Sequence, residues 1–308
     1  MFLNFAHTET RTVEMQAIEQ FISYLLADKG YSHATAQTYR VSLTDLWRFC
    51  RQVDEQITWE SLDKDVLRRW MANDMEKGVA ARTVNRKMSS VRSFYRYLLR
   101  MERVLVDPTA TLKNPKAERR LPTFVSEKDM NRLFDDVEFG EGFEAERDRL
   151  ILLTFYSTGV RLSELLGLKV SSVDLSAREL KVLGKRNKHR VIPFGVELAE
   201  AFAGFFATRS AEVRQDLGEV FVRRDGKVMS AAEVRAVVKK YLSCVTRQQK
   251  RSPHVLRHTY ATVMLNNGAD LEAVKELLGH ESVATTEVYT HTTFAELKKA
   301  YKKAHPRA

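Results

Sequence analysis

This sequence predicts a mainly α-helical chain of two domains with one small β-hairpin. Three observations carry that reading. Apolar residues recur at helical spacing across 13–103 and again from 126 onward. A proline-containing basic stretch without that period, residues 107–124, lies between them. One segment, 178–193, carries β-branched and aliphatic runs on either side of a cationic turn that opens with Gly184. A chain of 308 residues is long enough for two domains of ordinary size, and its 44% hydrophobic content supplies a core for each. The predicted domains are 12–106 and 125–308, joined by a linker over 107–124.

In the first domain the spacing predicts four helices. The first covers about 13–28, with Ile18, Phe21, Ile22, Leu25 and Leu26 on one side and Gly30 after it. Ser32 caps the second, about 33–52, which carries Tyr39, Leu43, Leu46, Trp47 and Cys50. The third covers about 61–77 and stops at Gly78; the fourth covers about 82–103.

The fourth helix is the informative one. At about 100° per residue, Arg82, Arg86, Arg92, Arg96, Arg100 and Arg103 fall within an arc of about 120°. Val84, Met88, Val91, Phe94, Tyr95, Leu98 and Leu99 fill the opposite side. A solvated helix face normally mixes signs to gain ion pairs one turn apart. No acid lies between Arg82 and Met101, so these arginines repel one another unless a polyanion is present. Arginines on one helix face can hold phosphates and read guanine edges in a major groove, so Arg82, Arg86, Arg92, Arg96 and Arg100 are candidate DNA-binding residues.

The second domain starts at Ser126, which can cap a helix with Asp129 at its third position. A helix over about 144–158 follows, ending at Gly159, and then the run Arg161-Leu-Ser-Glu164. The hairpin comes next, with Gly184-Lys185-Arg186-Asn187-Lys188-His189-Arg190 between its strands. Helices are expected over about 196–215 and 231–246, with a short strand pair near 220–222 and 227–229 between them. Ser252-Pro253 is an N-cap and first-position pair, so a helix starts near His254 and places His254 and Arg257 three residues apart on one face. Gly268, Asp270 and Gly279 read as a stop, a start and a stop, with His280 just beyond. Tyr289 follows. A last basic helix, from 293, has Phe294, Leu297, Ala300 and Tyr301 as an apolar stripe.

The formal charge of +10 suits a polyanionic partner. Cys50 and Cys244 have no zinc spacing and form no disulfide framework, which fits a reducing cytoplasm. No secretory signal and no membrane-spanning run is expected, and no phosphate loop for ATP or dinucleotides is present. Arg161 and Arg257 can hold a phosphate bidentately, Lys185 sits at a hairpin tip, and His254 and His280 can exchange protons near neutral pH. Breaking a phosphodiester requires cations on the nonbridging oxygens and an acid for the leaving alkoxide. The carboxylate clusters of a two-metal nuclease are not apparent, so arginines would do a metal's work, and no cofactor is called for. A tyrosine nucleophile would keep the phosphodiester as a covalent ester.

With these residues assembled, the sequence resembles the tyrosine recombinases of the phage integrase family, and most of all the bacterial Xer recombinases. The resemblance rests on TGVRLSEL around Arg161 and Glu164, GKRNKHR around Lys185, HVLRH around His254 and Arg257, LLGHESVATT at His280, and YTH at Tyr289. It extends over nearly the whole chain and implies a SAM-like core-binding domain followed by a catalytic domain. It implies Tyr289 as the nucleophile that forms a 3′-phosphotyrosyl link, Arg161 and Arg257 on the nonbridging oxygens, and Lys185 as the acid for the leaving 5′-oxygen. His254 is then the proton partner of the tyrosine, His280 a donor to the phosphate, and Glu164 a residue that orients Arg161 or a neighbouring histidine. One departure stands out: Arg186 occupies a place where the family often has glycine, making the turn less permissive. His258 is expected to pack or orient within the site.

The resemblance further implies a double-stranded recombination site as substrate, a homo- or heterotetramer on DNA, a Holliday junction between two rounds of exchange, and no metal. A second recombinase of the same type and a DNA-translocase activator belong to that picture. Resolution of chromosome or plasmid dimers at cell division is the expected role, with a mobile-element integrase as the alternative. A type IB topoisomerase and a non-catalytic DNA-binding protein fit less well, since the six catalytic positions are complete and the build has two domains. The apolar stripe of the tail is expected to dock on a neighbouring protomer.

Overall fold

Residues 2–118 (side chains from 13 onward), 123–184, 189–213, 218–279 and 294–308 are described by a computed structural model. The chain divides into two units, Met1–Arg120 and Leu121–Ala308, each with its own apolar core.

The first unit holds α1 (Phe2–Ala27), α2 (His33–Val53), α3 (Lys64–Glu76) and α4 (Ala81–Arg100). Ser32 caps α2 by accepting from the Thr35 amide at 3.2 Å, as its position predicts. Asp63 caps α3 by accepting from the Asp65 and Val66 amides, both at 2.8 Å, so this helix starts three residues later than its periodicity suggests. Phe21, Leu43, Leu46, Trp47, Trp70, Met88 and Phe94 meet in the core. Two polar ties fix α4 against it. The Tyr95 hydroxyl donates to the Trp59 carbonyl at 2.9 Å, and Lys87 Nζ bridges Asp45 at 2.6 Å and Asp74 at 2.8 Å. The helix ends at Arg100, so Arg103 lies in the turn beyond it, and Leu99, expected on the apolar side, is 36% exposed.

The second unit opens with α5 (Glu127–Asp135), capped by Ser126, whose hydroxyl accepts from the Asp129 amide at 3.1 Å. Next is α6 (Phe143–Thr158), and Leu150 to Thr158 are all buried. A helix that is apolar on every side belongs at the centre, and α6 packs against both α8 (Val196–Glu212) and α10 (Pro253–Asn266). Between α6 and α8 come the short α7 (Leu162–Leu166) and an antiparallel sheet of β1 (Val173–Asp174), β2 (Glu179–Leu183) and β3 (His189–Pro193). The expected hairpin is therefore the larger part of a three-stranded sheet; two residues are too short a strand for alternation to reveal. In its register Leu180 faces Ile192 and Val182 faces Arg190. Near 222 and 228 the expected strand pair is a single bridge, Val222 with Val228. The remaining helices are α9 (Ala231–Val245), α11 (Leu271–Leu278) and α12 (Phe294–Ala304). Among the described residues no helix is long and apolar enough to cross a membrane.

The tail departs from expectation. Its stripe was expected to seek a neighbouring protomer; here Leu297, Tyr301 and Ala304 are buried against their own unit. The reason lies just beyond the helix. His305 is only 4% exposed, with its ring stacked on Tyr301 at 5.1 Å and set edge-on to Tyr156 at 5.1 Å. Its Nδ1 accepts from the Arg307 amide at 3.1 Å and its Nε2 lies 3.1 Å from the Tyr156 carbonyl, which assigns the proton to Nε2. Arg307 then forks onto both Glu197 oxygens at 2.7 Å and reaches Asp135 at 2.8 Å. Gly195 is where the chain end lies close: a Cβ there would sit 2.0 Å from the Arg307 carbonyl.

Burial drives the His305 imidazole down to about 4 from an ordinary 6.5, against the pull of the Tyr156 carbonyl. A histidine that folds neutral contributes its stability above pH 6.5 and loses it as pH falls to about 4, because the unfolded chain takes up the proton first. The expected loss over that window is on the order of 3 kcal/mol. Thermal unfolding followed from pH 7 to 4 should show a shallower decline in His305→Phe than in wild type; parallel declines would contradict the assignment.

Candidate active site and nucleic-acid face

The site in the second unit is built around the end of α11. Asp270 starts that helix by accepting from the Glu272 amide at 2.8 Å, and Gly279 ends it in the left-handed conformation, φ 64°. The last carbonyls of a helix have no partner within it and sit at the negative end of the macrodipole. Here three arginines from three different elements supply partners in succession. Arg190 Nε, from β3, donates to the Leu277 carbonyl at 3.1 Å. Arg257 Nη2, from α10, donates to the Leu278 carbonyl at 2.5 Å. Arg161 Nη2, from the start of α7, donates to the Gly279 carbonyl at 2.7 Å.

A second turn completes the frame. Gly159 ends α6 at φ 60°, and its carbonyl accepts from Arg257 Nη1 at 2.6 Å. Glu164 then folds back. Its carboxylate takes the Arg161 backbone amide at 2.7 Å and Arg161 Nη1 at 2.8 Å, and from the other side it takes both terminal nitrogens of Arg190 at 2.6 and 2.8 Å. The family resemblance implies that Glu164 orients Arg161 or a neighbouring histidine; among the described residues its carboxylate meets Arg161, and a second arginine joins it. Burial alone would raise this carboxyl, but the Arg190 and Arg161 donors outweigh it and hold it at about 2. For Arg257, burial comes first and the charges of Arg161 and Arg190 second, together lowering it to about 10. Three guanidiniums against one carboxylate leave an excess of positive charge. Such a cluster favours an anion.

Exposure separates the members. The Arg161 side chain is 33% exposed, that of Arg190 14% and that of Glu164 3%. Arg257 is buried, while His254 and His258, one turn apart on α10, both face solvent. His258 was expected to pack or orient within the site; its exposure speaks against packing. Burial, then the neighbouring charges of His254 and Arg257, lowers the His258 imidazole. Lys185, His280 and Tyr289, and the unusual Arg186, lie outside the described residues.

Arg190 was read only as one more cation of the hairpin tip. Strand alternation carries the missing signal. Arg190 is two residues from buried Ile192 and opposite buried Val182, which puts a guanidinium on the inward face of the sheet. A cation there requires a buried partner, and Glu164 is it.

In the first unit, Arg82, Arg86, Arg96 and Arg100 are exposed along α4. Arg92 is half-buried and donates to the Leu112 carbonyl at 2.9 Å; Arg100 lies over the Tyr24 ring and meets its hydroxyl. Among the described residues Arg82, Arg86 and Arg96 have no carboxylate partner. The nearby acids Asp45 and Asp74 are taken by Lys87, which leaves the arginine face uncompensated.

Comparison with known proteins places both units. The profile of the Phage integrase family matches residues 123–296, and that of the Phage integrase, N-terminal SAM-like domain matches residues 18–102. Tyrosine recombinase XerC of Chlorobaculum tepidum is 37% identical over 315 residues, covering 94% of each chain. Tyrosine recombinase XerC of Azotobacter vinelandii is 39% identical over 297 residues, covering 96% of this chain and 97% of that one. Two solved structures share the fold. XerH site-specific recombinase bound to palindromic difH substrate has a TM-score of 0.70 at 21% identity, over 86% of this chain and 78% of that one. The Tn1549 transposon integrase in complex with circular intermediate DNA has a TM-score of 0.68 at 18% identity, over 93% and 98%.

Gly159 bears on both the fold and the site. A Cβ there would lie 2.6 Å from the fully buried Tyr260 ring and 2.8 Å from Leu278. Gly159→Ala combines left-handed strain with overpacking and is expected to cost about 2–4 kcal/mol in guanidinium unfolding. Gly268→Ala, at φ 80° with nothing within 4 Å, is the control and should cost only about 1 kcal/mol. Equal losses would mean that packing at Gly159 is not what matters.

Proposed function

This chain belongs to the phage integrase family and is a site-specific DNA recombinase with a tyrosine nucleophile, and we propose that Tyr289 is that nucleophile and that the Arg161–Arg257 cluster holds the phosphate it attacks. The observation that carries the proposal is the arginine cluster at the end of α11, from which the chain runs on to His280 and Tyr289. In this reading the Tyr289 oxygen attacks phosphorus and the bond to the 5′-oxygen breaks. The products are a 3′-phosphotyrosyl ester and a free 5′-hydroxyl. The tyrosine proton passes to His254, and Lys185 supplies a proton to the departing 5′-oxygen. Arg161 and Arg257 neutralise the nonbridging oxygens, with His280 as a further donor. Attack by a 5′-hydroxyl from another duplex reverses the step, so no energy source is needed.

The substrate is a double-stranded recombination site held by four protomers, with the α4 arginines of the first unit on phosphates and base edges. Relatives named Tyrosine recombinase XerC at 37–39% identity support resolution of chromosome or plasmid dimers as the task. A second recombinase and an activating DNA translocase belong to the same proposal.

Two measurements test it. A nicked duplex, carrying a site selected for binding from a randomised pool, should yield a covalent protein–DNA adduct on a denaturing gel in EDTA, and Tyr289→Phe should yield none. Arg257→Gln should slow adduct formation by roughly 10²–10³-fold while leaving binding nearly intact. An adduct with Tyr289→Phe would reject the nucleophile. Binding itself should respond to Arg82→Gln, Arg86→Gln and Arg96→Gln with a shallower dependence on salt, each lost phosphate contact lowering the slope by about 0.9. An unchanged slope in the triple variant would remove α4 from the interface.

A further inference from the structure

We propose that Arg190 is a positioning residue for strand cleavage, acting on the phosphate-binding arginines through Glu164 and the end of α11; this rests on the recombinase reading above. Four observations lead to it. First, Arg190 sits on the inward face of β3 with its side chain only 14% exposed, while Arg161 at 33% is the member of the cluster that faces outward. Second, its guanidinium is engaged on three sides. Both terminal nitrogens meet the Glu164 carboxylate at 2.6 and 2.8 Å, and Nε meets the Leu277 carbonyl at 3.1 Å. Third, it touches the turn that leads out of α11. A Cβ at Gly279 would lie 3.1–3.3 Å from Arg190 Nη1, Cδ and Cζ. Fourth, Arg161 is held by the same carboxylate and by the same helix end, at the turn residue just beyond it. Glu164 accepts from Arg161 Nη1 at 2.8 Å, and the Gly279 carbonyl accepts from Arg161 Nη2 at 2.7 Å.

The consequence is electrostatic as well as geometric. With Arg190 present, Glu164 is shared between two guanidiniums, and its charge is largely satisfied from behind. Without Arg190, a nearly buried carboxylate would have Arg161 as its one guanidinium among the described residues. Arg161 would then be drawn toward Glu164 and its charge cancelled, at the cost of the phosphate it should meet. Lysine cannot replace the fork. It offers one nitrogen where Arg190 uses three, and it cannot meet both carboxylate oxygens in plane while reaching the Leu277 carbonyl.

The test is a double-mutant cycle on full-length protein: Arg190→Gln, Glu164→Gln and the pair. Its readouts are duplex affinity, melting temperature and the single-turnover rate of adduct formation on the selected nicked duplex. Arg190→Gln should cut the cleavage rate roughly 10²-fold, the scale of a misplaced phosphate clamp, with affinity changed less than about threefold. Arg190→Lys should restore only a small part. The pair should cleave no more slowly than Arg190→Gln alone, because removing the carboxylate frees Arg161 again. Losses that multiply in the pair would overturn the proposal, since Arg190 would then act independently of Glu164. So would a rate drop that merely follows affinity or melting temperature through all three variants. No adduct with wild type would overturn the recombinase reading itself, and this proposal with it.

Discussion

The end of α11 is where this catalytic unit is decided. Three consecutive carbonyls, at Leu277, Leu278 and Gly279, have no helical partners, and three guanidiniums are spent on them. Each guanidinium comes from a different element: α7, β3 and α10. Helix, sheet and helix are therefore tied to one point, and the point carries more positive charge than Glu164 can cancel. Gly159 and Gly279 make it possible, both with left-handed backbones that let a helix stop abruptly and turn its carbonyl toward an arginine. A side chain at either would press into Tyr260 or into Arg190.

The first unit solves a different problem with the same residue. On α4 the apolar side is pinned by Tyr95 and by the Lys87 bridge to Asp45 and Asp74, and this fixes which way the arginine side faces. Two of those arginines already have a local use: Arg92 on the Leu112 carbonyl and Arg100 over the Tyr24 ring. Arg82, Arg86 and Arg96 are exposed and have no carboxylate partner among the described residues. A row of six from spacing thus becomes three open cations and two that are partly engaged, with Arg103 off the helix altogether.

What the sequence made legible follows from how local the signal is. Caps at Ser32, Ser126 and Asp270, and stops at Gly159 and Gly279, depend on a few adjacent residues and appear where spacing places them. Arg161 and Glu164 could be paired because they are three apart on one short helix. Arg190 could not be, because Glu164 is 26 residues away and only strand alternation hints that the side chain points inward. The tail misled for a similar reason. An apolar stripe says that something covers it, but not what; His305 among Tyr156, Tyr260 and Tyr301 is the answer, and those tyrosines come from three helices.

The two kinds of buried polar group in this unit differ in what they can tolerate. His305 is neutral, with one ring nitrogen donating and the other accepting, so its pocket resists charge. Glu164 and the arginines are charged and need one another, so their cluster resists the loss of any one member. An incoming phosphate changes the second balance and not the first. It would bring negative charge to a place where guanidiniums outnumber carboxylates, offsetting the charges of Arg161 and Arg190 that, after burial, lower Arg257. On the proposed role the cluster would be more stable occupied than empty, and a group that gains charge on its nonbridging oxygens during reaction would be held more tightly still.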